Sequence, residues 1–350
     1  RDLRMSRGLG DVYKRQEMYS LLTHNTFGID AKCTDFISYQ TVEQLKSITS
    51  SLKGKRWLQI GGGSNLLFVH DFEGVVLHSE IKDIEIVRRN GEYVWLRVGA
   101  GYVWDDFVAY CVAHGYYGLE NLSLIPGEVG ASAVQNIGAY GVDVGQYIDT
   151  VEAVEVATGN VCQFKGEECR YAYRSSVFKH EMKGKYIVTH VIYRLSLSFA
   201  PDLSYGAISR ALQANDINAE VVTAQVLRNV IIDVRRSKLP DPAEIGSAGS
   251  FFMNPVVSQS KFESLQQQYP DMPHYVVDEG VKIPAGWMIE QCGWKGKRVG
   301  NVGVYSKQAL VLVNYGGAKG EDIVQLSNAV IADVERKFGI TLHPEVNFIE

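Results

Sequence analysis

Short apolar stretches broken by polar and turn residues dominate the first half of the chain. The pattern predicts strands over residues 57–60, 74–78, 84–89 and 93–98, with Asn90-Gly91 as the turn between the last two. A helix is predicted over 103–114. Residues 119–145 then lose periodicity and are rich in Gly, Ala, Ser and Asn, which predicts a long loop. A loop of that length inside a globular domain is usually functional. Strands return over 148–157 and 186–195, with a turn at Thr158-Gly159-Asn160. From about residue 207 the pattern turns helical, over 208–214 and 221–236. Leu239-Pro240-Asp241-Pro242 is a stiff break. Beyond it a Gly/Ser loop precedes helices predicted over 258–269, 285–292 and 322–338, and strands near 310–314 and 346–349. Strands first and mixed elements afterwards predict an α+β architecture rather than a regular βαβ wind.

Residues 1–17 stand apart. They are polar, rich in Gly and Arg, and follow neither period, so they are expected to be foreign to the fold, with Met18 as the native start. The 350-residue chain is 46% hydrophobic, ample for two or three domains. Its net charge of −5 includes no basic block, which argues against nucleic acid as a partner. An anionic ligand must then be gathered by a few placed cations and backbone amides. No apolar run approaches the ~20 residues of a membrane span, and no signal peptide is visible, so a soluble cytoplasmic protein is expected. The five cysteines are odd in number and lack C-x-x-C spacing, which predicts reduced thiols and no metal site.

Five motifs carry candidate chemistry. In Ile60-Gly61-Gly62-Gly63-Ser64-Asn65-Leu66-Leu67 a strand runs into consecutive glycines. Without Cβ atoms the amides can close on a diphosphate and the chain can take φ > 0. No Lys-Ser/Thr follows, as a P-loop requires, and no helix opens there, as a dinucleotide fold requires; a tight hairpin turn fits the same residues. A second small-residue stretch runs from Ile125-Pro126-Gly127-Glu128-Val129-Gly130-Ala131-Ser132 through Gln135-Asn136-Ile137-Gly138-Ala139-Tyr140-Gly141. Two such stretches in one lobe suit an extended ligand gripped at two places. Arg174 lies in Tyr171-Ala172-Tyr173-Arg174-Ser175-Ser176-Val177-Phe178-Lys179, where it can clamp a carboxylate by two bonds or make a surface salt bridge. Ser250 lies between Gly249 and Phe251-Phe252, outside any G-x-S-x-G elbow, so an acyl-transfer nucleophile is not read there. Glu345, in His343-Pro344-Glu345-Val346-Asn347-Phe348, is either a helper acid or a solvated terminal residue.

In this order and combination, and with His24-Asn25-Thr26-Phe27 ahead of them, the motifs resemble those of the UDP-N-acetylenolpyruvoylglucosamine reductase (UDP-N-acetylmuramate dehydrogenase) family. The resemblance covers essentially everything after Met18. It implies an α+β protein with a two-lobed FAD-binding domain of the vanillyl-alcohol-oxidase type over 18–238, its first lobe completed by about 340–350, and a C-terminal α+β substrate-binding domain over 239–339. A Tyr-bearing insertion around Ser204-Tyr205-Gly206 resembles the longer of the family's two types.

The resemblance further implies noncovalent FAD, NADPH as co-substrate, a UDP-sugar substrate and a monomer. Arg174, Ser250 and Glu345 match the family's catalytic residues. FAD contacts are implied at Gly61, Gly62, Gly63, Ser64, Asn65, Leu66, Pro126, Gly127, Val129, Gly130, Ala131, Gln135, Asn136, Gly138, Ala139 and Tyr140. Substrate contacts are implied at Tyr173, Tyr205, Lys238, Asn254, Lys295 and Gln308. The expected reaction is reduction of the enolpyruvyl group in peptidoglycan precursor synthesis. Arg174 and a protonated Glu345 would stabilise the developing carboxylate charge, and Ser250 would protonate the carbanionic carbon. Two positions depart from the family. Glu128 stands where Thr or Ser is expected, so its side chain is expected to face away from the diphosphate. Met253 stands where Lys is usual, a loss that Lys238, Lys295 or Lys297 would have to make good. Another FAD oxidoreductase of this fold, or a non-catalytic flavin- or UDP-sugar-binding module, would fit the motifs less completely.

Overall fold

The strand Phe72–Ser79 is buried on both faces along most of its length, as the centre of a parallel sheet requires. In the computed structural model, which describes residues 18–350, it pairs in parallel with Lys32–Tyr39 and with Trp57–Ile60. The reading of residues 1–17 lies outside the described residues. The helix Val42–Ser51 links the two partner strands, and the Thr41 hydroxyl caps it by accepting from the Gln44 amide at 3.1 Å. Trp57–Ile60 ends at the edge of this lobe, and the three glycines begin there.

The second lobe is a five-stranded antiparallel sheet in the order Val161–Lys165, Ile148–Glu155, Tyr186–Ser196, Tyr93–Gly99, Ile84–Arg89. Val161–Lys165 alternates between exposed and half-buried positions, as an edge strand should. The helices Trp104–His114 and Val129–Gln135 cover one face. Their core holds Trp104, Phe107 and Tyr193 together, and the Tyr193 hydroxyl meets Ser132 Oγ at 2.9 Å.

The stretch expected to be one long loop over 119–145 therefore contains a helix. Its residues Gly130, Ala131, Ser132 and Ala133 are too small to show an apolar stripe, and the helix is held by burial beneath the sheet rather than by its own periodicity.

The C-terminal part holds a four-stranded sheet in the order Gly246–Ser250, Val311–Asn314, Val302–Val304, Arg298–Val299, packed with the helices Ala285–Gln291 and Gly320–Phe338. The Gly/Ser loop read ahead of Phe251 is a strand, corrected by its pairing with Val311–Asn314. Asn347–Ile349 returns to the first lobe and pairs in parallel with Leu66–Phe68. One core, including Phe27, Leu67, Phe251, Phe252 and Phe338, joins the first lobe to the C-terminal part. The helices Gly206–Ala214 and Ala224–Lys238 form a small cluster of their own, tied to the second lobe by a two-bond ion pair from Arg228 to Asp105 at 2.7 and 2.9 Å.

Thr26, in the His24-Asn25-Thr26-Phe27 motif, acts as a staple. Its amide donates to the Gly63 carbonyl at 3.1 Å, and its hydroxyl donates to the Ser247 carbonyl at 2.6 Å. The glycine loop is thus fastened to the strand that ends in Ser250. Among the described residues no helix is long and apolar enough to cross a membrane.

Candidate active site

Two glycine backbones meet at the floor of a cleft between the lobes. A Cβ on Gly62 would lie 3.3 Å from the Gly127 Cα, so the two loops touch main chain to main chain. The left-handed conformation falls on Gly63 (φ +64°), next to Gly62, and on Gly127 itself (φ +120°). Gly130 is tight as well, since a Cβ there would lie 2.8 Å from Ala100 Cβ.

The cleft has a cavity of ≈ 320 Å³, walled by Gly61, Gly62, Gly63, Ser64, Asn65, Leu66, Gly130, Ala131 and Gln135, with Trp57, Phe178, Lys179, Tyr186 and Ile187 along the rest. It continues into a second cavity of ≈ 180 Å³, and both share Ser64, Asn65, Glu128, Ala131 and Gln135 as walls. Pro126, Gly127 and Gly138 line the second. Val129, by contrast, is fully buried in the core, and Asn136 spends its side chain on the Ala172 carbonyl (2.7 Å) and the Gly145 amide (2.9 Å).

The second cavity brings Arg174, Ser250 and Glu345 to one wall. Ser250 is displayed by a bulge: the strand register slips between Ser247 and Ser250, and Gly249 takes φ +70°. Glu345 is placed from the same side. Its amide donates to the Phe251 carbonyl at 2.8 Å, so the Ser250 hydroxyl and the Glu345 carboxyl ride on neighbouring segments. Arg174 is itself left-handed, at φ +53°. Its Nε donates to Glu345 Oε1 at 3.0 Å, Nη1 to Asp143 Oδ1 at 3.2 Å and to the Asn136 carbonyl at 3.4 Å, and Nη2 to the Gly138 carbonyl at 2.6 Å. Gln135 Nε2 adds a second bond to Glu345 Oε1 at 3.3 Å.

These four bonds use four of the five guanidinium N–H groups. Most of the guanidinium's donors are thus spent on the protein, with one bond to each of two carboxylates and the rest to backbone carbonyls, rather than on a two-bond clamp. Asp143 gave no local signal in the sequence, because its part depends on Arg174 folding back across 31 residues.

Lys179 lies behind this group and donates to the Arg174 carbonyl at 3.1 Å. Burial holds its ammonium below the usual lysine range, against the pull of Glu345. Tyr173 is half-buried beside Arg174, and burial pushes its phenol up. Lys282 Nζ, unread in the sequence, stands 4.3 Å from the Tyr173 ring centroid.

The expected substrate contacts are more dispersed. Tyr205 is exposed and packs edge-on to Tyr140 at 5.4 Å. Asn254 Oδ1 accepts from the Ala285 amide at 2.9 Å, and Gln308 Oε1 accepts from the Leu310 amide at 3.3 Å. Lys295 pairs with Glu290 at 2.9 Å, and Lys297 lies over Trp294. Tyr173, Tyr205, Lys238, Asn254, Lys295 and Gln308 are not among the residues walling the two cavities.

Comparison with known proteins decides the family. Residues 241–349 match the model of the UDP-N-acetylenolpyruvoylglucosamine reductase C-terminal domain, and residues 36–164 match an FAD binding domain. A UDP-N-acetylenolpyruvoylglucosamine reductase of Bacteroides fragilis is 54% identical over 336 residues, covering 95% of this chain and 100% of that one. The chain belongs to the UDP-N-acetylenolpyruvoylglucosamine reductase family. A reductase of the same name from Porphyromonas gingivalis is 52% identical over 334 residues, covering 95% and 98%.

Two solved structures agree on the fold. The UDP-N-acetylenolpyruvylglucosamine reductase of Thermus caldophilus superposes with a TM-score of 0.66 at 23% identity, over 95% of this chain and 98% of that one. The 6-hydroxy-D-nicotine oxidase of Arthrobacter nicotinovorans gives 0.50 at 15% identity, over 87% and 80%. As a member of this family the chain is an FAD-dependent oxidoreductase.

Gly62→Val should purify folded but largely colourless. The valine would wedge the two glycine loops apart where they touch, away from either core. Absorbance of the purified protein in the flavin bands checks this. A fully yellow Gly62→Val protein would remove this loop from the flavin grip.

Proposed function

We propose that this chain reduces the enolpyruvyl group of UDP-N-acetylenolpyruvoylglucosamine with NADPH, giving UDP-N-acetylmuramate for peptidoglycan synthesis. The observation that carries the reading is the convergence of Arg174, Ser250 and Glu345 on one wall of a cleft that continues into the glycine cradle. The cradle fits FAD: two glycine backbones in contact leave their amides unshielded, and the cleft is elongated and largely apolar beyond them. Its volume lies in the ~300–1,000 Å³ range of ligand pockets. Gly61 to Asn65, Pro126, Gly127, Gly130, Ala131 and Gln135 would hold the dinucleotide. When bound, FAD supplies hydride transfer between NADPH and the substrate.

The chain's own residues do the rest. Hydride addition at the terminal vinyl carbon leaves an electron pair on the adjacent carbon, delocalised into the carboxylate. The Arg174 guanidinium, fixed by Glu345, Asp143 and Gly138, presents a preorganised positive charge to it and one uncommitted N–H. Arg174 and Gln135 both bond Glu345 through Oε1. A proton on Oε2 would let Glu345 donate to the same developing charge. Ser250 is exposed on the cleft side of its bulge and delivers its hydroxyl proton to the carbanionic carbon. Serine is a weak acid, but an enolate carbon is a strong base. The serine alkoxide then recovers a proton from solvent.

We divide the chain into an FAD-binding part through residue 238 and a substrate-binding part over 239–339; the pairing of Asn347–Ile349 with Leu66–Phe68 supports a first lobe completed by about 340–350. We place the protein in the cytoplasm as a monomer.

Steady-state turnover tests the reading. NADPH absorbance should fall only when the enolpyruvyl UDP-sugar is present, and mass spectrometry should find a product heavier by one H₂. Oxidation of NADPH without that product would contradict it.

A further inference from the structure

Glu128 sits inside the region assigned to the FAD diphosphate, and its carboxylate is not turned out to solvent. Glu128 lines both cavities, and a Cβ on Gly61 would lie 3.3 Å from its Oε2. Its Oε1 lies 2.8 Å from His78 Nε2, and the two side chains are only 10% and 16% exposed. His78 stands opposite Ile60 on the neighbouring strand, immediately before the glycine loop leaves the sheet. A buried carboxylate beside a diphosphate repels it, and the low effective dielectric makes that repulsion large. A protonated imidazole bonded to the carboxylate makes the pair neutral overall.

We propose that His78 is a positioning residue for the flavin, cancelling as imidazolium the Glu128 charge that would otherwise stand in the diphosphate cradle. The inference rests on the assignment of Gly61–Gly63 and Pro126–Gly130 to FAD. The neighbourhood supplies few competing charges. His24, on the turn before the first large strand, has its ring 6.4 Å from that of His78, and burial lowers its pKa first, with the charge of His78 second. Tyr39, on the strand Lys32–Tyr39, is buried and feels Glu128, but it donates to Gln59 at 3.1 Å and its phenol is pushed well up by burial. Phe36 packs its ring 6.3 Å from His78 and carries no charge.

The sign follows from the pair. With a proton on the imidazole, the cation balances Glu128 and FAD is held. With the imidazole neutral, the carboxylate is unbalanced and FAD is released. The test is FAD release from diluted holoenzyme, read by free-flavin fluorescence between about pH 5 and 8, the span in which an imidazole changes charge. Wild type should bind FAD about tenfold or more weaker at the alkaline end. Glu128→Thr should be flat with pH and match the acidic affinity of wild type throughout. His78→Asn should be flat and weak, and the double variant should recover the Glu128→Thr behaviour. His24→Asn leaves the pair intact and should keep the slope.

If His78→Asn does not purify folded, Glu128→Thr alone decides the matter. An undiminished pH slope in Glu128→Thr, or a slope lost in His24→Asn, overturns the proposal. Gly62→Val separates the two levels. If it releases FAD while Glu128→Thr keeps the slope, only the His78 inference fails. If it retains FAD fully, the cradle assignment fails and takes this proposal with it.

Discussion

Ser250→Ala should slow reduction of the enolpyruvyl sugar by ~10²–10⁴-fold, the range for losing a positioned proton donor, while bleaching of the flavin by NADPH proceeds at nearly the wild-type rate. The separation follows from where Ser250 sits. It stands on a bulge in the wall that also carries Arg174 and Glu345, in the second cavity, and is not among the residues walling the larger one. Hydride transfer from NADPH requires no proton at the substrate carbon, so the first half-reaction has no use for the hydroxyl. Removing one exposed oxygen changes no charge and opens no cavity, so flavin content and thermal stability should stay near wild type. Stopped-flow absorbance follows each half alone. If both halves slow together, Ser250 shapes a shared ligand site. If neither slows, it is a turn serine, and Glu345 becomes the first candidate for the proton.

Arg174→Lys should lower turnover by ~10²–10³-fold, the scale for losing a preorganised charge-stabilising donor. The guanidinium reaches Glu345, Asp143, Asn136 and Gly138 from three different nitrogens. A lysine has one nitrogen and cannot span that fan, so it would leave Glu345 and Asp143 unmatched as well as misplacing the charge. The loss should appear in the sugar-reducing half-reaction. Near-normal turnover with lysine would reduce Arg174 to a structural ion pair.

The legible parts of the fold were those with strong local patterns. The strands Trp57–Ile60, Ile84–Arg89 and Tyr93–Gly99 show in apolar pattern and turn chemistry, and the helix Gly320–Phe338 in its apolar stripe. Two elements at the site were illegible for one reason. Val129–Gln135 and Gly246–Ser250 are built from Gly, Ala and Ser, which carry little propensity or periodicity, so their conformations come from the sheet above one and the strand beside the other. Ser250 and Glu345 were found by motif, but their closeness depends on a bond between Phe251 and Glu345 that joins distant segments. Asp143 and His78 had no signal at all, since each matters only through a partner far along the chain. The φ > 0 allowed to the glycine loop falls on Gly63, and on Gly127 in the facing loop, while Gly62 serves close approach.

The central claim is that one cleft takes a hydride from NADPH and passes it to an enolpyruvyl UDP-sugar. The visible spectrum of the purified protein under anaerobic conditions tests it most directly. The account predicts flavin bands that bleach on adding NADPH, stay bleached with UDP-N-acetylglucosamine, and return when the enolpyruvyl sugar is added. Bands that fail to bleach with NADPH, or that do not recover with that substrate, would contradict it.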